Sequence, residues 1–474
     1  MSDYQVTIGI EIHCELKTKT KMFSGAPTSF GEVANTQTSV IDLGHPGCLP
    51  CVNKEAVRLA IKACGGLHCT IDPLVKFDRK NYYYSDLPKG FQITQQFHPI
   101  GKDGYVTIQT DEGEKQVRVE RIHMEEDTAK QFHKETGTYI DFNRAGTPLV
   151  EIVSRPDMHS AQEAAAYVEA LRRILFYLNV SDVKMEEGSM RCDVNISISD
   201  DPSKLGTKVE IKNLNSIANV QKAVQAEIER QTALLEAGES IEQATRRFDE
   251  PSKTTILMRK KEGTVDYKYF PEPNIFPIQL NQAWIDSILN NLEELPEQRM
   301  ARLQQSFGLS DYDASVLVND RDMADFYEEV MKTAKDAKKA ANWVIVELAA
   351  WLNKNNKSFA SNPANPEDLA RLVNLIDEGT ISGKQGKEVF EELMNGKKPD
   401  DVIQEKGLQQ VSDDSTLIAM INQVLDENPK SIEDFKNGKK RAVGFLMGQV
   451  MKASKGQANP KKANGLLVQE LNKR

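Results

Sequence analysis

The chain has 474 residues, of which 39% are hydrophobic and six are cysteine, and it carries a formal net charge of −10 at pH 7. At roughly 150 residues per domain this suggests about three domains with at least one large core, which excludes disorder as the default. No charged-then-apolar leader follows Met1, and no apolar run is long enough to span a bilayer. Six cysteines without a secretory signal point to reduced thiols, so the sequence predicts a cytoplasmic protein with no membrane contact.

Up to about residue 290 short alternating runs predict strands at Tyr4 to Ile12, Tyr105 to Gln109, Val117 to His123, Asp193 to Ser199 and Lys208 to Lys212. Amphipathic stretches at Lys54 to Ala63, Ser160 to Leu178 and Ser216 to Ala237 predict helices over one sheet face, the second opened by a capping box of Ser160 and Glu163. Between Asp266 and Pro277 three prolines rule out a helix and mark a rigid segment leaving the sheet. Beyond it Leu295 to Phe307, Asp320 to Lys335, Lys339 to Leu352, Pro366 to Asp377 and Gly383 to Asn395 have helical spacing. A second boundary is predicted near Gly407, followed by a helix over Asp414 to Glu427 and a tail helix over Ala442 to Met451. The predicted class is α+β: a largely antiparallel sheet domain with flanking helices over 1–293, then all-α domains over 294–407 and 408–474.

Residues 430–474 hold eleven Lys or Arg against three acids, a balance of +8 that leaves −18 for the remainder. A basic tail on an acidic body suits phosphate contact at one place, although a solvated surface has the same signature. Cys48, Cys51, Cys64 and Cys69 read C-x2-C-x12-C-x4-C, near zinc-site spacing, against the alternative of ordinary buried thiols.

The stretch Tyr139 to Met158 sets Asp141, Asn143 and Glu151 in a strand-like apolar run, where a carboxylate needs a cation or donors, and a metal or a substrate is the expected partner. Glu11 and His13 are two apart on a predicted strand and so share a face, as do Asp193 with Asn195 and Glu210 with Lys212. With Glu125 and Glu151 these give five carboxylates and an imidazole that can converge, a donor set suited to magnesium or manganese. A single such Glu is ordinarily a solvated sheet-face residue; only convergence makes a site. The sequence has no P-loop, no dinucleotide fingerprint and no nucleophile elbow, which favours positioning and charge neutralisation over covalent catalysis.

Taken with Gly9 to His13, Phe77 to Thr94, Glu187 to Asn195, Val209 to Asn215 and Asp266 to Pro273, the Tyr139 to Met158 stretch resembles the B subunit family of the glutamyl/aspartyl-tRNA amidotransferases over nearly the whole chain. The resemblance implies a glutamine synthetase-like catalytic cradle and an ATP-dependent carbon–nitrogen ligase with glutamine as amide donor. It also implies a heterotrimer with an amidase A subunit and a small C subunit. The B subunit would phosphorylate the side chain of Glu-tRNA(Gln) or Asp-tRNA(Asn) with Mg-ATP, and channelled ammonia would then displace the phosphate. It places Glu11, His13, Glu125, Glu151, Asp193 and Glu210 around the metal and nucleotide. Arg144, Arg79 and Lys212 are candidates for neutralising phosphate, each with a structural ion pair as its alternative. Lys439, Lys440, Arg441 and Lys452 are expected to track the phosphates of misacylated tRNA, not DNA, without reading bases. The competing readings are a non-catalytic tRNA-binding adaptor with a structural metal site and a metal-dependent hydrolase acting alone.

Overall fold

Alternation of Ile8, Ile10, Ile12 and Cys14 with polar residues builds the strand at the middle of the first unit: the four are buried, and Glu11 and His13 lie on the other face. In this computed structural model, residues 4–201, 203–260, 266–408, 413–436, 439, 441–454 and 457–474 are described, and they form two units, Met1–Pro296 and Glu297–Arg474. Lys440 and Lys455 lie outside the described residues, as does the side chain of Lys461.

In chain order the strands of the first unit are β1 (Gln5–Glu15), β2 (Thr70–Ile71), β3 (Leu74–Val75), β4 (Asp78–Asn81), β5 (Phe91–Thr94), β6 (Gly101–Thr110), β7 (Gly113–Glu126), β8 (Lys130–Lys134), β9 (Gly137–Asp141), β10 (Pro148–Ser154), β11 (Met190–Ser199), β12 (Val209–Leu214), β13 (Ala244–Asp249), β14 (Thr254–Lys260), β15 (Phe270–Pro271) and β16 (Ile278–Gln279). Nine make one sheet in the order β14-β13-β12-β11-β1-β10-β7-β6-β2. The β12–β13 pair is parallel, and the helix between them makes the crossover that parallel strands require.

Helices α1 (Lys54–Gly66), α2 (Ala161–Tyr177) and α3 (Ile217–Glu236) cover one sheet face, and their apolar stripes share one core with Ile10, Ile122, Ile152, Val194 and Ile211. The predicted cap of α2 is present: Ser160 Oγ accepts from the Glu163 amide at 3.1 Å. Glu163 reaches one residue further back than a capping box, accepting from the His159 amide at 2.6 Å. The small sheet β15-β4-β5 stands beside the open face, and β15 comes from the proline-rich segment.

The strand-like run from Tyr139 is corrected by the structure. β9 ends at Asp141, residues 142–147 turn, and β10 begins at Pro148. Gly146 sits at φ +83, where a Cβ would lie 2.7 Å from Asp42, so the turn needs glycine there. Asp141 and Asn143 accept from the Asn35 amide at 3.1 Å and the Gln37 amide at 2.8 Å and hold the 33–37 loop.

The second unit is helical. Pro366–Asp377 and Asp414–Glu427 match their predicted bounds, and 337–354 contains a π-helical turn over Trp343–Leu348. Gly407, at φ +63, caps Pro399–Lys406 in the left-handed conformation. Leu417, Ile421, Leu446, Val450, Leu467 and Leu471 belong to a separate apolar cluster within this unit. No helix among the described residues is long and apolar enough to cross a membrane.

Candidate active site

Five adjacent strands aim side chains at the open face. Antiparallel register sets His13 opposite Glu151, Glu151 opposite His123, Glu11 opposite Asp193 and Asn195 opposite Glu210. The period of two puts Ile122, Met124, Ile152, Cys192 and Ile211 into the core and turns the ionisable residues outward. Of these, His13, Glu125, Asp193 and Lys212 line a cavity of about 730 Å³, together with Lys80 and Asp127 among others.

His13 Nε2 lies 3.6 Å from both Glu125 Oε1 and Glu151 Oε2. Ligand atoms of these three residues lie within 4.8 Å of one another, and among the described residues no other group of three His, Cys, Asp or Glu does so. His123 Nε2 backs the cluster at 3.0 Å from Glu151 and 3.7 Å from Glu125, with its Nδ1 buried and unpartnered. Burial opposes protonation of His123, but the two carboxylates outweigh it and raise its pKa to about 9. Burial likewise opposes charge on Glu151, yet His123 and His13 hold it well below the usual carboxylate range. Glu11 is shifted the other way, raised by burial and then by Glu151, while Asn195 donates to it at 2.8 Å. Two carboxylate oxygens and one imidazole nitrogen fit a divalent ion with positions left for water or phosphate.

The remaining expected ligands have protein partners. Lys212 Nζ is 2.5 Å from Asp193 and 3.1 Å from Glu210, and Thr245 donates to Glu210 at 2.9 Å. Burial would lower the Lys212 pKa, but Asp193 and Glu210 raise it further than burial lowers it. The six residues therefore share a face but divide into a His13–Glu125–Glu151 cluster, with Glu11 beside it, and an ion-paired Asp193–Lys212–Glu210 group. Arg79 is spent on Glu272, donating at 2.6 and 3.1 Å to a carboxylate with a fully buried side chain. Arg144 donates to the carbonyls of Thr128 and Ala129, both at 3.0 Å, and lies 3.5 Å from Asp127.

The cysteine spacing does not make a metal centre. Cys51 is exposed and Cys64 is buried in the core, its sulfur 2.5 Å from where a Gly101 Cβ would stand. Burial pushes the Cys64 thiol well up and the Cys69 thiol to about 12, and among the described residues no group of three His, Cys, Asp or Glu that could hold a metal includes a cysteine.

A family profile described as GatB/GatE catalytic domain matches residues 6–286, and one described as GatB domain matches 325–471. The chain is 51% identical, over the full length of both proteins, to the B subunit of the aspartyl/glutamyl-tRNA(Asn/Gln) amidotransferase of Bacillus licheniformis. The chain belongs to the GatB family of amidotransferase B subunits. The proteins of the same name from Geobacillus thermodenitrificans and Bacillus thuringiensis are each 50% identical to it, covering 100% and 99% of both chains. Against this family background, several ionisable residues at the site were missed by sequence reasoning, among them Lys80, Arg121, His123, Asp127 and Arg191. His123-x-Glu125 repeats the spacing of Glu11-x-His13 and was legible on that ground. Arg191 was not; it donates to Asp127 at 2.8 Å, a contact between distant segments. Arg121 lies opposite Val153 with no ion pair among the described residues and a buried, unpartnered Nε.

Proposed function

We propose that this chain is the kinase and amidating subunit of a tRNA-dependent amidotransferase, acting on the side-chain carboxylate of Glu-tRNA(Gln) or Asp-tRNA(Asn). The observation that carries this reading is the His13–Glu125–Glu151 cluster, whose His13 and Glu125 line a cavity together with Lys80 and Lys212. A carboxylate oxygen bonds the γ-phosphorus of ATP while the bond to the bridging oxygen breaks, releasing ADP. The ammonia nitrogen then bonds the acyl carbon, its extra proton is lost, and the carbon–oxygen bond to phosphate breaks. Phosphate is needed because a free carboxylate has no leaving group.

Glu125, Glu151 and His13 would hold magnesium or manganese, which supplies charge neutralisation at the phosphate oxygens. His123 fixes both carboxylates from behind. Lys80, which lines the cavity and which Glu125, Tyr269 and Glu151 keep charged against the effect of burial, would meet developing phosphate charge, with Arg121, free of ion pairs among the described residues, on the same sheet face. Partners on this reading are an amidase A subunit that releases ammonia from glutamine, a small C subunit, and misacylated tRNA, all in the cytoplasm.

Glu151→Ala in the assembled complex should abolish ATP hydrolysis that depends on misacylated tRNA, by at least about 10²-fold, with tRNA affinity unchanged. Persistence of that hydrolysis would favour a tRNA-binding adaptor with a structural metal.

A further inference from the structure

An unbroken series of aromatic rings includes one, Tyr82, that lines the cavity. Tyr82 meets Tyr84 at 5.9 Å and Tyr267 at 5.8 Å between ring centroids; Tyr267 meets Tyr269 at 6.0 Å, and Tyr269 meets Phe97 at 6.4 Å. Each contact is edge-to-face, which leaves ring faces without a stacked partner inside the protein. Exposure is high at both ends, 53% for Tyr84 and 56% for Phe97, and neighbouring Tyr83 is 89% exposed. Tyr82, Tyr267 and Tyr269 between them are half-buried, so the series is open chiefly at its two ends, and exposed rings of this kind beside a polar cavity mark a contact surface.

Cations accompany the rings. Lys80 Nζ stands 4.9 Å from the Tyr267 centroid and 5.5 Å from that of Tyr82, and Arg259 Nη1 lies 3.3 Å from the Tyr84 hydroxyl. Rings that accept a flat face, interleaved with positive charge, are the chemistry of a single-stranded nucleic-acid platform. The strip spans five rings, more than one base can cover, which favours a strand over the lone adenine of ATP.

We propose that Tyr84, Tyr82, Tyr267, Tyr269 and Phe97 stack the unpaired 3′-terminal bases of the aminoacylated RNA and so hold its terminal ester over the cavity. This rests on the reading above, in which the substrate is a misacylated tRNA. Stacking also suits the task physically: it grips a flexible end without depending on sequence, and each base stacked on an aromatic is worth about 1–3 kcal/mol, roughly 5- to 150-fold in affinity.

The test uses the assembled complex with intact tRNA and with the same tRNA lacking its last three nucleotides. Wild type should bind the intact form at least about fivefold more tightly. Tyr84→Leu, which keeps bulk and loses the π face, should shrink that ratio by about fivefold or more. Tyr84→Phe should preserve it, and KM for ATP should not move in either variant. If Tyr84→Leu lowers the urea midpoint, Phe97→Leu at the other end of the strip supplies the same measurement. An unchanged ratio overturns the proposal, and so does a raised KM for ATP with an unchanged ratio, which assigns the rings to adenine. Failure of wild type to bind either RNA overturns the tRNA reading itself, before any variant is made.

Discussion

Arg79 donates to Glu272 through Nε and Nη2, and the Glu272 side chain is fully buried, its Oε1 also accepting from the Asn274 amide at 2.8 Å. Removing the guanidinium leaves a buried carboxylate without its cation, which costs more than the pair itself contributes. Arg79→Ala should therefore lose about 3–5 kcal/mol in urea unfolding, and pairing it with Glu272→Gln should recover part of that loss. If Arg79→Ala instead leaves stability intact and raises KM for ATP, its sequence-based reading as a phosphate ligand stands. Arg79 also marks how far single residues were legible. Spacing of two placed Glu11 with His13 on one face because strand geometry enforces it, but the partner of Arg79 lies nearly two hundred positions away, and no local pattern encodes that. The cysteine spacing left zinc and ordinary buried thiols both open for the same reason: it counts residues between thiols and says nothing of the core that surrounds Cys64.

At the scale of elements, periodicity located the central strands and the three sheet-covering helices because each buries one face. It failed at residues 142–147, where polar and apolar residues mix equally well in a turn, and the decisive feature is the positive φ of Gly146. Helix α3 shows a second kind of information hidden from sequence. Its Glu227 side chain is fully buried, accepts from Thr255 of β14 at 2.6 Å and lies 3.6 Å from Arg246 of β13, pinning the helix to the strands beyond its own crossover. Burial alone would raise the Glu227 pKa, but hydrogen bonds from Arg230, Thr255 and Gln231 lower it overall. Its folded value thus lies below the unfolded one, so its stabilisation is present above about pH 4.5 and fades as pH falls through the lower folded value. Glu227→Ala should cost about 3–5 kcal/mol at pH 7, and the gap to wild type should narrow steadily below pH 4 in denaturant titrations. A gap that is constant with pH would mean that packing, not charge, sets the loss.

For the whole molecule, a net charge of −10 and a role in gripping RNA are compatible only if the positive charge is local and unspent. The structure refines the sequence count, because several tail cations already face acids: Lys439 with Asp434 at 2.8 Å, Lys462 with Asp414 at 2.7 Å, Lys473 with Glu470 at 2.6 Å and Arg474 with Asp426 at 2.5 Å. Arg441 and Lys452, exposed near the two ends of the Arg441–Ala453 helix, have no such ion pair among the described residues. A cation held by a neighbouring carboxylate releases fewer counterions when it meets a phosphate, since part of its field is already neutralised. The contribution to RNA binding should therefore be unequal along the tail. In filter binding between 50 and 200 mM salt, Arg441→Gln with Lys452→Gln should flatten the slope of log K against log salt by about 1.5–2, close to one phosphate each. Lys439→Gln should flatten it by clearly less than one, because Asp434 holds that charge in the free protein. Equal slopes in all three proteins would place the RNA elsewhere, and a larger change for Lys439→Gln would mean that its ion pair opens on binding to free both charges.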